Sequence, residues 1–135
     1  MKLLLDTHAV VWLMEAMPLA PSARTAITEA QQDGEVFVSP VSAWEIGLLL
    51  SKKRLTLGRP VQDWFANLLA LPGIQLASLA PAAAIEASFL PGELHADPAD
   101  RLLVATARHL DASLVTRDAS LLSYAAEGHV KAIAC

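Results

Sequence analysis

The chain has 135 residues, enough for one domain with a substantial core, and 54% of them are hydrophobic, with the excess in Ala and Leu. That composition favours helices packed on a buried sheet over disorder. The formal net charge of -4 excludes a strongly basic nucleic-acid binder, but not a nuclease whose acids gather in its site; the single cysteine, Cys135, excludes an intrachain disulfide framework or cysteine zinc site.

The amino-terminal run superficially suggests a signal peptide, with Lys2 ahead of apolar residues, but Asp6, His8 and Glu15 interrupt it. No stretch reaches the ~18 apolar residues of a membrane span. A cytoplasmic protein without a membrane partner is expected. Lys2 to Leu5 reads as a central parallel strand with Asp6 at its carboxyl end. An apolar helix from about Ala9 to Glu15 follows and is broken by Pro18 and Pro21. Ser22 to Gln32 is a polar helix closed by Asp33-Gly34. Val36 to Val38 is a second strand. Ser39-Pro40 is a cap followed by Pro at the first helical position, and opens a helix to about Lys53. A basic connection leads to Pro60 and a helix ending near Ala70. Pro72-Gly73 turns into a third strand, Ile74 to Ala77, and Pro81 to Phe89 is an Ala-rich helix. Asp97-Pro98 starts a helix to residue 110 that is apolar over much of its circumference. Ser113 to Thr116 is a fourth strand, Ala119 to Ala126 a short helix, and Val130 to Ile133 a candidate last edge strand. Strands alternating with helices imply a three-layer αβα fold around a parallel sheet of four to five strands, within a single domain over residues 1–135.

The acids carry the chemical signal. Asp6 and Asp118 each fall at or just past the carboxyl end of a strand, where ligands bind in such sheets. Either alone is explained as a turn residue or helix cap. Glu45 lies among Val41, Leu48 and Leu49 at helical spacing, with no cation in reach, so burial would require a partner from elsewhere. A surface-facing Glu is the alternative, if the apolar stripe lies on the far side. Asp97 is explained as a cap with Arg101 as its ion-pair partner four residues on. Asp100 has no local cation, and only the helix dipole accounts for it locally. If Asp6, Glu45, Asp100 and Asp118 converge, neighbouring charges ~4 Å apart repel by about 4 kcal/mol at an effective dielectric of 20. A divalent cation relieves that. All-carboxylate ligation suits Mg²⁺ or Mn²⁺ rather than zinc, and the chemistry implied is phosphodiester hydrolysis.

L-L-L-D-T-H at the start, S-P-V-S-A-W-E-I after the second strand, D-P-A-D-R-L-L-V-A-T-A and L-V-T-R-D come in the order of a PIN domain. The sequence resembles the VapC-type toxins of bacterial type II toxin–antitoxin systems over nearly its whole length. By that resemblance Asp6 is the first-strand acid, Glu45 the helix glutamate, and Asp100 and Asp118 the late pair. Asp97 matches a frequent further acid and ranks as a cap first and a metal-site accessory second. The resemblance implies Mg²⁺- or Mn²⁺-dependent endoribonuclease activity on RNA, homodimerisation, and inhibition by a cognate VapB-type antitoxin.

Other residues have balanced readings. Lys52, Lys53 and Arg54 either steer RNA phosphates or form a solvated helix end favoured by the dipole. Trp12, Trp44 and Trp64 read as core or interface packing rather than base-stacking platforms. His8 reads as a polar turn residue near the site, and Thr116 either hydrogen-bonds a site water or phosphate or is a plain strand-end threonine. His95, His109 and His129 show no ligand spacing. An aspartyl phosphotransferase of the haloacid-dehalogenase type needs a second Asp where His8 stands. A dinucleotide enzyme needs a Gly-rich turn that D-T-H-A-V-V lacks. The remaining alternative is a non-catalytic PIN-like module that binds RNA or protein.

Overall fold

The computed structural model describes all residues, 1–135. Five strands alternate with seven helices: β1 (Leu3–Leu5), α1 (Thr7–Met14), α2 (Pro21–Gln32), β2 (Val36–Val38), α3 (Pro40–Ser51), α4 (Val61–Ala70), β3 (Ile74–Leu76), α5 (Pro81–Glu86), α6 (Pro98–Leu110), β4 (Ser113–Thr116), α7 (Ala119–Ala126) and β5 (Lys131–Ala134). All strand pairs are parallel, in the order β3-β2-β1-β4-β5. The expected three-layer α/β architecture is therefore present, with the fifth strand included.

Strand periodicity splits the interior into two layers. Leu3 and Leu5 of β1 face one cluster with Val36, Val38 and Val115, packed against Val10 of α1, Ile27 of α2, and Trp64 and Leu68 of α4. Leu4 and Leu114 face the opposite way, toward Leu103, Val104 and Ala107 of α6 and Leu121 and Tyr124 of α7. The central strands β1 and β4 are buried on both faces, which is why they read as near-continuous apolar runs rather than alternating ones.

Element ends differ slightly from the sequence reading. The Ala-rich helix stops at Glu86 rather than Phe89, and continues as single turns in which Ser88 N and Phe89 N donate to Ile85 O and Glu86 O. The first helix starts at Thr7, because Asp6 supplies its cap.

The strand order places β1 between neighbours reached in opposite directions, so the chain reverses its direction of travel between β1 and β4. A crevice forms at the carboxyl ends of such a pair. A cleft of about 820 Å³ lies at the other end of α6, beside Arg108, Asp111 and Lys131, and contains none of the acids singled out above.

The Pro72-Gly73 turn into β3 is sterically fixed. Gly73 has φ +80, and a Cβ there would meet the Gln31 carbonyl oxygen at 2.1 Å. The backbone of α2 would have to move, so Gly73→Ala is expected to lower stability by ~2 kcal/mol or more in urea unfolding. Gly58→Ala, where a Cβ meets nothing within 4 Å, should stay close to wild type in the same measurement.

Candidate metal centre

β1 and β4 pair with Leu5 opposite Val115, so the next residues, Asp6 and Thr116, stand side by side at the carboxyl edge of the sheet. Asp6 is buried, and its carboxylate accepts from Thr7 N and from Thr116 Oγ1, each at 2.7 Å. Thr116 is fully buried, and its hydroxyl oxygen also accepts from Asp118 N at 3.1 Å. One threonine thus links the ends of two strands. Asp118 is exposed, and its carboxylate caps α7 by accepting from Leu121 N at 3.0 Å. Through the Thr116 hydroxyl, the Asp118 backbone is tied to the Asp6 carboxylate as well.

Glu45 reaches the same edge from α3. It is half-buried, and Oε1 accepts from Thr7 Oγ1 at 2.5 Å. The same Thr7 hydroxyl lies 3.0 Å from Ser42 Oγ. Burial pushes the Glu45 carboxyl above its usual range; the Thr7 hydrogen bond opposes this, and the charges of Asp6 and Asp97 add to it. The alternative of a surface-facing glutamate does not hold.

α6 brings two acids. Asp97 is exposed and caps the helix, accepting from Asp100 N at 2.9 Å. The expected Asp97–Arg101 ion pair is absent. Arg101 instead donates through Nε to Ala87 O and through a terminal nitrogen to Leu94 O, both at 2.9 Å. Those carbonyls belong to a segment with no ladder of its own and need donors, which the five N–H groups of the guanidinium supply, while the Asp97 carboxylate already accepts at the cap.

Asp100 follows in the first turn of α6. Its side chain is 18% exposed, and its carboxyl is pushed up to about 7, first by burial and then by the charges of Asp97, Asp6, Asp118 and Glu45. Four carboxylates from four separate segments act on it. His95 Nε2 lies 3.2 Å from Asp100 Oδ2, while His95 Nδ1 accepts from Asp97 N at 3.2 Å. The latter bond puts the imidazole proton on Nε2, so His95 donates to Asp100. Polar side-chain atoms of His95, Asp100 and Asp118 lie within 4.8 Å of one another. Neither His95 nor Thr7 stands out by spacing. The available signal for both was adjacency, to the Asp97 cap and to Asp6.

The remaining candidates separate cleanly. His8 is exposed, and its charge acts on Glu45. His109 is exposed, and His129 stacks on Tyr124 with ring centroids 4.8 Å apart. Trp64 is core, Trp12 lies under the Arg117 guanidinium at 3.7 Å, and Trp44 is 58% exposed. Lys52, Lys53 and Arg54 are exposed at the end of α3 and form no ion pair. Lys52 follows Glu45 by seven residues, roughly 10 Å along the same helix face.

The donor set suits a hard divalent cation. It is carboxylate oxygen with one neighbouring imidazole, and no Lys or Arg is ion-paired with Asp6, Glu45, Asp97, Asp100 or Asp118. Burial lifts Asp100 to about 7 and the neighbouring acids add to it, with no cation of the protein to offset them.

Comparison with known proteins agrees with this geometry. Residues 3–127 match the PIN domain family. The chain is 35% identical over 122 residues to Ribonuclease VapC22 of Mycobacterium tuberculosis, covering 90% of each protein. Its fold is similar to that in the crystal structure of VapBC2 from Rickettsia felis bound to a promoter DNA fragment, with a TM-score of 0.71 and 15% identity over 99% of this chain and 98% of that one. It is also similar to DNA-bound VapBC from Salmonella typhimurium, with a TM-score of 0.67 and 16% identity over the same shares. With the family matched across nearly its full length, and the acids gathered where the first and fourth strands end, the chain belongs to the PIN domain family.

Proposed function

We propose that the protein is a metal-dependent endoribonuclease, the toxin of a type II toxin–antitoxin pair, and that Asp6, Glu45, Asp100 and Asp118 hold Mg²⁺ or Mn²⁺ with Asp97 as an accessory. The observation that carries this is the cluster of His95, Asp100 and Asp118, whose polar atoms lie within 4.8 Å of one another, with the charges of Asp6 and Glu45 acting on Asp100. The similarity to a protein named a ribonuclease supports the reaction class. The similarity to VapBC complexes supports a VapB-type antitoxin as partner. No helix is long and apolar enough to cross a membrane.

When bound, the cation lowers the pKa of a water and offsets charge on the scissile phosphate. The protein's own groups set where that can happen. Asp6 is clamped by a backbone N–H and the Thr116 hydroxyl, so its carboxylate cannot rotate freely. Glu45 is held by Thr7 and Asp100 by His95. Asp100 carries a proton below about pH 7 and must release it to serve as a ligand. Lys52, Lys53 and Arg54 attract the phosphates of a strand entering along α3.

Two pH dependences follow from Asp100. Its folded-state pKa of about 7 lies above the ordinary value of 3.8, so the folded chain binds the proton more tightly than the unfolded one. Without metal, this contribution to stability is fully present below pH 4 and is lost as pH rises to 7. Apparent Mn²⁺ affinity should run the other way. It should fall toward tenfold per pH unit below 7 and level off above, as read by calorimetry.

Substitutions separate site from fold. Asp100→Asn should abolish metal-dependent RNA cleavage while raising the melting temperature of the metal-free protein at pH 8, because a repelled charge is removed. Asp97→Asn should keep much of the activity, since Asn caps as well as Asp does.

The activity itself is tested with purified, antitoxin-free protein and total cellular RNA. Cleavage should require Mn²⁺, stop with EDTA and vanish in Asp6→Asn. Expression of the protein alone should arrest growth, and its antitoxin should restore it. RNA left intact in the presence of Mn²⁺ would replace this reading with that of a non-catalytic binding module.

A further inference from the structure

We infer that Thr7 is a positioning residue whose hydroxyl, supplied by Ser42, holds the Glu45 carboxylate where it takes a divalent cation. The inference rests on the metal-dependent reading above and extends it to residues that carry no charge.

The hydroxyls of this protein show what threonine does when it has only its own helix to bond. Thr28 donates to Arg24 O at 3.0 Å and Thr106 to Leu102 O at 2.7 Å, each four residues back. Thr7 stands at the first position of α1, directly after the Asp6 cap, where a hydroxyl has no carbonyl of its own helix behind it. Its hydroxyl turns across to α3 and meets Glu45 Oε1 at 2.5 Å and Ser42 Oγ at 3.0 Å. Thr7 is 4% exposed and Ser42 0%, so bulk water does not compete for either group.

The direction of the protons is then fixed. An ionised carboxylate only accepts, so the single Thr7 proton goes to Glu45 Oε1. The Thr7 oxygen keeps lone pairs, and Ser42 supplies the proton that one of them takes. Each hydroxyl donates once, toward the carboxylate. The arrangement also ties two acids to one dipeptide. Thr7 N donates to Asp6 Oδ1 while Thr7 Oγ1 donates to Glu45, so a single residue at the start of α1 sets the spacing between an acid of the sheet edge and an acid of α3. Packing of α1 against α3 carries the same spacing through the backbone. Helix formation at this position needs the Thr7 N–H and not its hydroxyl. The side chain is therefore free to be tested by itself.

The full chain, as Thr7→Val, Thr7→Ser, Thr7→Ala, Ser42→Ala and wild type, is titrated with Mn²⁺ in a calorimeter at pH 8, with metal-free melting recorded for each. Loss of a hydrogen-bonding partner behind a metal ligand weakens affinity by roughly 10- to 100-fold, and Thr7→Val should fall in that range. Thr7→Ala, which cannot overpack, should fall with it. Thr7→Ser should return close to wild type, and Ser42→Ala should lie between. Cleavage by Thr7→Val should recover at saturating Mn²⁺, because its carboxylates are intact. Wild-type affinity in Thr7→Val or Thr7→Ala, whatever the melting temperature, would assign the hydroxyl to structure alone and overturn the inference. Wild-type affinity in Ser42→Ala would overturn the relay. If wild-type protein itself takes up no Mn²⁺, the nuclease reading fails first, and that result is distinct from intact binding unaffected by Thr7.

Discussion

Repulsion among carboxylates collected at the carboxyl ends of β1 and β4 is the constraint on which the rest of the structure depends. Two such charges ~4 Å apart cost about 4 kcal/mol at an effective dielectric of 20, which is a large share of a domain's stability. The fold meets this with helix starts. Asp6, Asp97 and Asp118 are the caps of α1, α6 and α7, and each accepts a backbone N–H at a helix terminus that carries partial positive charge. Glu45 and Asp100 cap nothing, and both carboxyls are pushed above their usual range, first by burial and then by the neighbouring acids. A dipole contribution of up to ~1 kcal/mol per helix cannot balance the remaining repulsion. What is left over is a demand for a cation.

Neutral donors complete the arrangement. The hydroxyls of Thr7 and Thr116 and the imidazole of His95 each give a proton to a different carboxylate, respectively Glu45, Asp6 and Asp100. Neutral donors suit this place better than Lys or Arg, which would fill the site with a fixed charge and compete with a metal. The cations nearest in sequence are used elsewhere. Arg101 fastens the segment around Leu94 to α6, and Arg117 lies over Trp12 and donates to Cys135 O. The same economy explains the buried face of α6, where Leu103, Val104 and Ala107 anchor the helix so that its first turn projects at the sheet edge.

The sheet supplies the geometry. A parallel register with Leu5 opposite Val115 necessarily sets Asp6 beside Thr116, and a one-residue slip would turn Asp6 and every buried leucine of β1 to the wrong face. Burial of β1 on both faces makes that slip costly. The precision of the acidic site therefore comes from apolar packing well behind it.

Much of this was legible in the sequence, because the signals are local. Apolar runs, Pro at first helical positions and Asp or Ser caps act through hydrogen bonds within a few residues. They located the strands and helices to within a few residues, as well as the strand-end placement of Asp6 and Asp118. The same locality led to the unobserved Asp97–Arg101 pair. The i, i+4 spacing permits that contact, but the carbonyls of Ala87 and Leu94 compete for the guanidinium, and only packing of that segment against α6 brings them into range. Spacing also passed over His95 and the Thr7–Ser42–Glu45 chain. Thr7 and Ser42 lie 35 residues apart, and nothing in either neighbourhood names the other. The sequence by itself determined the elements, their order and the placement of Asp6 and Asp118 at strand ends. Only the tertiary structure decided what each acid touches, because side-chain partners across elements are set by sheet register and helix packing, which no short window of residues contains.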